Sequence, residues 1–353
     1  MVRITTEGLP IGAKRKRIAV YSGQDQLGDG LFKLPFIQSL RASFPTSEIH
    51  WVCAADSAYQ GVLARLVAPY LDQVHTGSGL AFRKRQILFP PTIPGAPYDI
   101  AIDTQTLFWR SIIVKRALKP ECFISAAMDY GLSSVRPPRG QRSKPQHFVS
   151  HLLRLVELAA GDNYRRDDVP IEIPSKLDEL AKDLLPASAA SGNGAYIGIA
   201  PGSGDPTKRW PLERFIALAR HFRERGFHPV FLVGPNEADM LEPLRTAVPD
   251  ALFPEQSLPP GTKPGPLLVS ALGRRMAGSI ANDSGLGHLL AISGKPLLLL
   301  YGRHTPAKYA PLTPCLRTLW AQDFGGSDHA LIPLDRAESE MEAALAENRA
   351  QAS

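Results

Sequence analysis

The sequence predicts an α/β protein made of two Rossmann-like domains facing across a cleft. Three observations carry this. The chain has 353 residues, more than one ordinary hydrophobic core organises and a good length for two. Each half opens with an apolar run, a polar Gly-rich loop, a helix-period segment and another apolar run, the strand–loop–helix–strand order of a parallel sheet. Between the halves lies 186–194 (PASAASGNG), small, polar and breaker-rich, as a linker is. The expected division is residues 1–185, the linker, and residues 195–330. A charged terminal helix within 331–353 could pack back on the first domain.

Taken in order, 17–22 (RIAVYS) reads as a strand and 23–30 (GQDQLGDG) as a polar turn. Leu31, Leu34, Ile37, Leu40 and Phe44 recur at helical spacing, Pro45 ends that helix, and Pro35 falls in its first turns, where a missing N–H matters least. Strands follow at 48–53 (EIHWVC), 98–103 (YDIAID) and 123–125, with a helix over 106–118 between the last two. The Arg/Pro-rich 136–145 is a loop, 148–160 an amphipathic helix ended by Gly161, and 169–174 a strand crossing toward the second half. There, 195–200 (AYIGIA) is a strand, 201–211 a loop, and Pro211 opens a helix ended by Gly226. Residues 229–233 are a strand, 234–237 start another helix, and 269–277 are helical. The run 278–302 then reads as strand, tight loop, helix, strand, and 335–347 as the terminal helix.

At 44% hydrophobic and 21% charged residues, the composition is that of a soluble globular protein. No apolar run approaches the roughly 20 residues of a spanning helix. The basic cluster at 14–17 is followed by an apolar run too short for a signal-peptide core. Cys53, Cys122 and Cys315 show no metal spacing and fit free thiols in a reducing cytosol. Charge is uneven: residues 1–150 hold 19 Lys and Arg against 10 Asp and Glu, and the remainder 21 against 24. The basic surface therefore belongs to the first half: the 14–17 cluster, Arg83, Lys84 and Arg85, then Arg136, Arg139, Arg142 and Lys144. It suits an anionic glycan or lipid head group, with a merely solvated surface as the plain alternative. No nucleic-acid-binding pattern is present.

Three loops can carry chemistry. Asp29, at the mouth of the first loop, is either a helix cap or a carboxylate placed to take a proton from a hydroxyl. In 201–211, Gly202, Ser203 and Gly204 expose backbone N–H groups beside Lys208 and Arg209, which suits a diphosphate. In the third loop, Asp283 and Ser284 can cap a helix, Gly285 lets a ligand approach, and His288 points from the same face. A Walker A loop, GxGxxG after either first strand, GxSxG, paired D-x-D and metal-ligand clusters are all missing. A nicotinamide oxidoreductase is thereby disfavoured.

Three stretches together resemble glycosyltransferase family 9, the heptosyltransferases. They are Leu27-Gly28-Asp29 with Leu34-Pro35; Pro201-Gly202-Ser203 with Lys208-Arg209-Trp210-Pro211; and Asn282-Asp283-Ser284-Gly285 with His288, Pro296, Tyr301-Gly302 and Thr305-Pro306. The resemblance implies a GT-B fold and an inverting sugar transfer that uses neither metal nor cofactor. It implies Asp29 as general base on the acceptor and Lys208 on the donor phosphates. Asp283, Ser284, Gly285 and His288 would line the diphosphate-sugar site, and Glu237 would meet the nucleoside ribose. The implied donor is ADP-heptose. The implied acceptor is an anionic glycolipid such as the lipopolysaccharide core, met by Arg83, Lys84, Arg85, Arg139 and Arg142. The implied place is the cytoplasm, with peripheral contact at the inner membrane. Two departures from the family pattern stand out: Gly30 after the Asp, which loosens the base loop, and the Pro/Gly-rich 255–265 on the nucleobase side. A relative using another nucleotide sugar or acceptor, or a non-catalytic nucleotide-sugar-binding protein, stays open.

Overall fold

The computed structural model describes residues 15–167, 169–186 and 194–352. Apart from its two end residues, the expected linker 186–194 lies outside the described residues, as do Lys14 and Ser353. The chain separates into two compact units.

Of the described residues, the first unit comprises 15–26, 33–145 and 149–167. Its five-stranded sheet is built from β1 (Arg17–Ser22), β2 (Glu48–Cys53), β3 (Gln73–His75), β4 (Ile100–Asp103) and β5 (Cys122–Ser125) in the order β3-β2-β1-β4-β5. All neighbours are parallel. The central strands are buried along nearly their whole length, which is why they read as continuous apolar runs. Helices α2 (Leu34–Ser43), α3 (Ala64–Val67), α4 (Phe108–Leu118) and most of α5 (Phe148–Ala160) belong to this unit. Pro35 sits at the start of α2, as its geometry requires.

The second unit holds the described residues 169–186 and 194–352 and also takes in 27–32 and 146–148. Its sheet is built from β6 (Tyr196–Ala200), β7 (His228–Phe231), β8 (Met276–Asn282), β9 (Leu297–Tyr301) and β10 (Leu316–Trp320) in the order β10-β9-β8-β6-β7, all parallel. Strand order reverses direction between β6 and β8. In an open α/β sheet, that switch point marks the crevice beyond the strand C-termini where ligands bind. Helix α1 (Leu27–Phe32), α6 (Ser175–Leu184), α7 (Leu212–Glu224), α8 (Leu241–Ala247), α9 (Leu267–Arg274), α10 (Gly285–Ile292), α11 (Pro306–Tyr309) and α12 (Leu334–Ala352) complete this unit.

Several expectations are corrected. The second unit begins at Val169, before the expected boundary, because α6 packs on α9 and Arg274 pairs with Asp178 at 3.1 Å. Residues 169–174 form no strand. The segment 269–277 divides into the end of α9 and the start of β8. The terminal helix packs on β8, β9, β10 and α7 of its own unit, where Ala337, Met341 and Leu345 complete the core. The first helix is two helices, and Asp29 and Gly30 lie inside α1, not in a flexible loop. No helix among the described residues is long and apolar enough to cross a membrane.

Candidate active site

The loops after β6 and β8 meet at the switch point, and Asn282 ties them together. Its side-chain amide donates to Pro201 O at 2.8 Å and its carbonyl accepts from Trp210 N at 3.0 Å. Trp210 is itself held by its indole N–H on Ile332 O at 3.0 Å. With both ends of the 201–211 loop pinned, Lys208 stands in a short turn capped by Asp205, whose carboxylate accepts from Thr207 N at 3.0 Å.

Lys208 Nζ lies 3.6 Å from Asp283 Oδ2 and 3.3 Å from His304 Nδ1. His304 Nδ1 lies 2.8 Å from the same Asp283 oxygen. An ionised carboxylate only accepts, so the imidazole proton belongs on Nδ1. Burial would raise the Asp283 carboxyl. The His304 hydrogen bond and the Lys208 charge outweigh it and hold this group below the usual range. Asp283 is thus a buried clamp on two basic side chains and does not cap α10. The helix cap is Ser284, in extended conformation and with no side-chain capping bond. Its hydroxyl is enclosed without a hydrogen-bond partner. The first N–H groups of α10 are therefore left for an anion.

Arg209 does not join this group. Its guanidinium folds back on Ser203 O at 2.9 and 3.1 Å and stands 3.9 Å from Glu237. Gly204 is exposed with open space around it, whereas Ser203 is buried. Glu237 is buried against two glycines: a Cβ on Gly202 would meet its Cδ at 2.8 Å, and one on Gly234 its Oε2 at 2.9 Å. Beside it, burial and then the Glu237 charge push the Glu255 carboxyl up to about 7. Glu255 Oε2 and Gln256 Oε1 are enclosed without hydrogen-bond partners.

Helix α1 packs against α10 within the second unit. A Cβ on Gly28 would lie 3.5 Å from Gly285 Cα and 3.4 Å from His288 Cδ2, and one on Gly285 would lie 3.2 Å from Leu27. Gly285 therefore serves a close approach of helix to helix rather than of ligand to backbone. This glycine contact groups Asp29, in the first turn of α1, with the donor-side loops and not with the first sheet. Burial holds His288 below the usual imidazole value, while the charges of Asp283 and Asp29 oppose that shift. Phe32 meets the His288 ring edge-on at 5.5 Å and stacks on Phe148 at 5.7 Å. Tyr309 lies 6.3 Å from Phe32 and 5.1 Å from His304.

The geometry thus gathers Asp29, Ser203, Lys208, Glu237, Asp283, Ser284 and His288 in the second unit. Arg83, Lys84, Arg85, Arg139 and Arg142 all belong to the first. Three contributors escaped sequence reasoning: Asn282 as the tie, His304 as the partner of Asp283, and Glu255 beside Glu237. Among the described residues, no group of three or more His, Cys, Asp or Glu side chains is placed to hold a metal ion.

The profile of glycosyltransferase family 9 (heptosyltransferase) matches residues 92–329. The chain belongs to this family. It is similar to lipooligosaccharide heptosyltransferase 2 of Haemophilus influenzae, 28% identical over 181 residues that span 49% of this chain and 52% of that protein. It is also similar to lipopolysaccharide heptosyltransferase 1 of Pseudomonas aeruginosa, 24% identical over 88% of this chain and 89% of that protein. The fold matches the structure of E. coli ADP-heptose lps heptosyltransferase II, with a TM-score of 0.61 at 20% identity over 94% of this chain and 99% of that one. The protein is a family 9 glycosyltransferase, and its two parallel sheets are those of the GT-B class.

Proposed function

We propose that this glycosyltransferase moves heptose, with inversion and without a metal or cofactor, from ADP-heptose to a hydroxyl of an anionic glycolipid of the lipopolysaccharide-core type. The observation that carries the reading is the Lys208–Asp283–His304 cluster beside the open N-terminus of α10, with the Asp29 helix packed against it. In this reading the Asp29 carboxylate takes the acceptor hydroxyl's proton as the oxygen attacks the anomeric carbon. The bond from that carbon to the diphosphate breaks, and the leaving ADP carries the electron pair. Lys208 and the first N–H groups of α10 meet the developing charge. Asp283 keeps Lys208 and His304 in place, and Glu237 receives the ribose hydroxyls. The basic first unit, through Arg139 and Arg142, meets the acceptor's phosphates and carboxylates at the cytoplasmic face of the inner membrane. The two relatives' names support the choice of sugar and acceptor.

Glu255 supports a second reading, in which the donor carries another base, because a second carboxylate beside Glu237 changes what the nucleoside pocket accepts. Thermal stability in excess ADP, UDP, GDP and NAD separates the readings. A diphosphate at 100 times its dissociation constant adds about 2.7 kcal/mol to the folded state. Stabilisation by ADP, followed by labelled heptose transfer to glycolipid, is the expected result. Stabilisation by UDP or GDP instead replaces the sugar, and silence with every diphosphate removes the diphosphate-binding role of Lys208 and the α10 N-terminus.

A further inference from the structure

Exposed apolar side chains are normally scattered, and a gathering of them beside one sign of charge marks an interaction surface. Among the described residues, twelve large hydrophobic side chains are exposed, and five of them come from two neighbouring segments of the first unit. Phe82 (54% exposed), Leu88 (70%) and Phe89 (80%) flank a one-turn 3-10 helix, Lys84–Ile87. Leu107 and Phe108 begin α4, which packs against that turn. The anchors beneath are Ile87 and Trp109, both set against the core of the first sheet. Each is followed or preceded in the chain by residues left in solvent, so the core holds up an apolar tip whose own contacts it does not provide.

The charge in the two stretches that carry this tip has one sign. Arg83, Lys84 and Arg85 are all exposed between Phe82 and Leu88. The stretch 73–98 contains no Asp or Glu, and neither does 104–120, which adds Arg110, Lys115, Arg116 and Lys119. Cations interleaved with aromatic and aliphatic side chains are what an anionic bilayer surface selects: the charges rest at the head groups and the apolar residues enter the acyl boundary.

We infer that Phe82–Phe89, with Leu107 and Phe108 beside it, is a membrane-docking element that seats the first unit on an anionic lipid bilayer. The inference rests on the glycolipid acceptor proposed above, since that acceptor would lie in the same bilayer. It assigns Arg83, Lys84 and Arg85 to the lipid surface rather than to the acceptor's own sugar. The element carries no chemistry. Its contribution is to hold the enzyme where the acceptor is concentrated.

The test uses the full chain and vesicles free of glycolipid and nucleotide sugar, so that its outcome is independent of the transfer reaction. Co-sedimentation is measured with equimolar phosphatidylglycerol and phosphatidylcholine, and with phosphatidylcholine alone. The wild type should bind the anionic vesicles and not the neutral ones. Replacing Arg83, Lys84 and Arg85 together by Gln should weaken that binding about a hundredfold at low salt. Replacing Phe82, Leu88 and Phe89 together by Ser should weaken it at least tenfold, with the thermal midpoint and donor binding unchanged. In Phe89→Trp, the indole emission should shift to the blue on vesicle addition, which reads insertion directly. Binding that is equal in all variants, or that leaves the Phe89→Trp emission unmoved, overturns the inference. Binding that appears only when the vesicles contain the glycolipid acceptor also overturns it, and returns the basic cluster to acceptor recognition.

Discussion

Within the site, the side chains that do the proposed chemistry are held by others that do none. Asp29 is the one carboxylate on α1, and its proposed work is to take a proton. Asp29→Asn keeps shape and helix but removes the basic oxygen, so kcat should fall by roughly a hundredfold or more while donor affinity is kept. A full-rate variant would dismiss Asp29 as the base. Gly202→Ala tests the opposite wall of the site. The added methyl would meet Glu237 Cδ at 2.8 Å, so Glu237 must move. Donor KM should rise with little change in kcat, and an unchanged KM would separate Glu237 from the nucleoside. Asp29, Lys208 and His288 could be singled out as candidates because each lies in the loop or first helix that follows a strand, where ligands collect. Asn282 and His304 were not, because their roles exist only through contacts with segments as far as 96 positions away.

At the scale of elements, α1 is bracketed in sequence by a buried ion pair. Asp25, two residues before it, and Lys33, directly after it, bind each other. Asp25 also accepts from Ser22 Oγ at 2.7 Å, from Trp51 Nε1 at 2.8 Å and from Ser57 Oγ at 3.1 Å. Burial works against the Asp25 charge, and Lys33 more than restores it. The pair closes the chain at both ends of the helix that carries Asp29. Lys33→Met leaves a buried carboxylate without its counter-charge and should destabilise the fold by about 3–5 kcal/mol, read as a drop in the urea midpoint. No loss would mean that the hydroxyls and indole suffice. Element boundaries were legible where both faces of a strand are buried, as in β1 and β2, both read to the residue. The edge strand β3 was missed because it is three residues long, and β10 because its partly exposed face carries charge. Residues 169–174 look like a strand locally, but they join neither sheet. Pairing is a property of the sheet, and hydropathy alone does not record it.

For the whole molecule, the buried titrating groups predict how stability follows pH. Asp283 is held below its ordinary value of 3.8, so its contribution is present above that pH and lost as pH falls through the folded value. Glu255 has the opposite sense. Its carboxyl is raised from 4.5 to about 7, so the folded state binds the extra proton between those values. Stability from this group is complete below pH 4.5 and declines as pH rises through about 7. His75, His288 and His329, all lowered chiefly by burial, pull the other way as pH drops below their ordinary 6.5. The wild-type slope alone therefore mixes these terms, and the difference between wild type and Glu255→Gln isolates one of them. Gln copies the protonated shape and cannot ionise beside Glu237. The variant should match the wild type in the acid range and exceed it by about 3 kcal/mol at mildly alkaline pH. Thermal midpoints across that range give the comparison. Parallel curves would mean that Glu255 ionises as freely in the folded protein as in the unfolded chain.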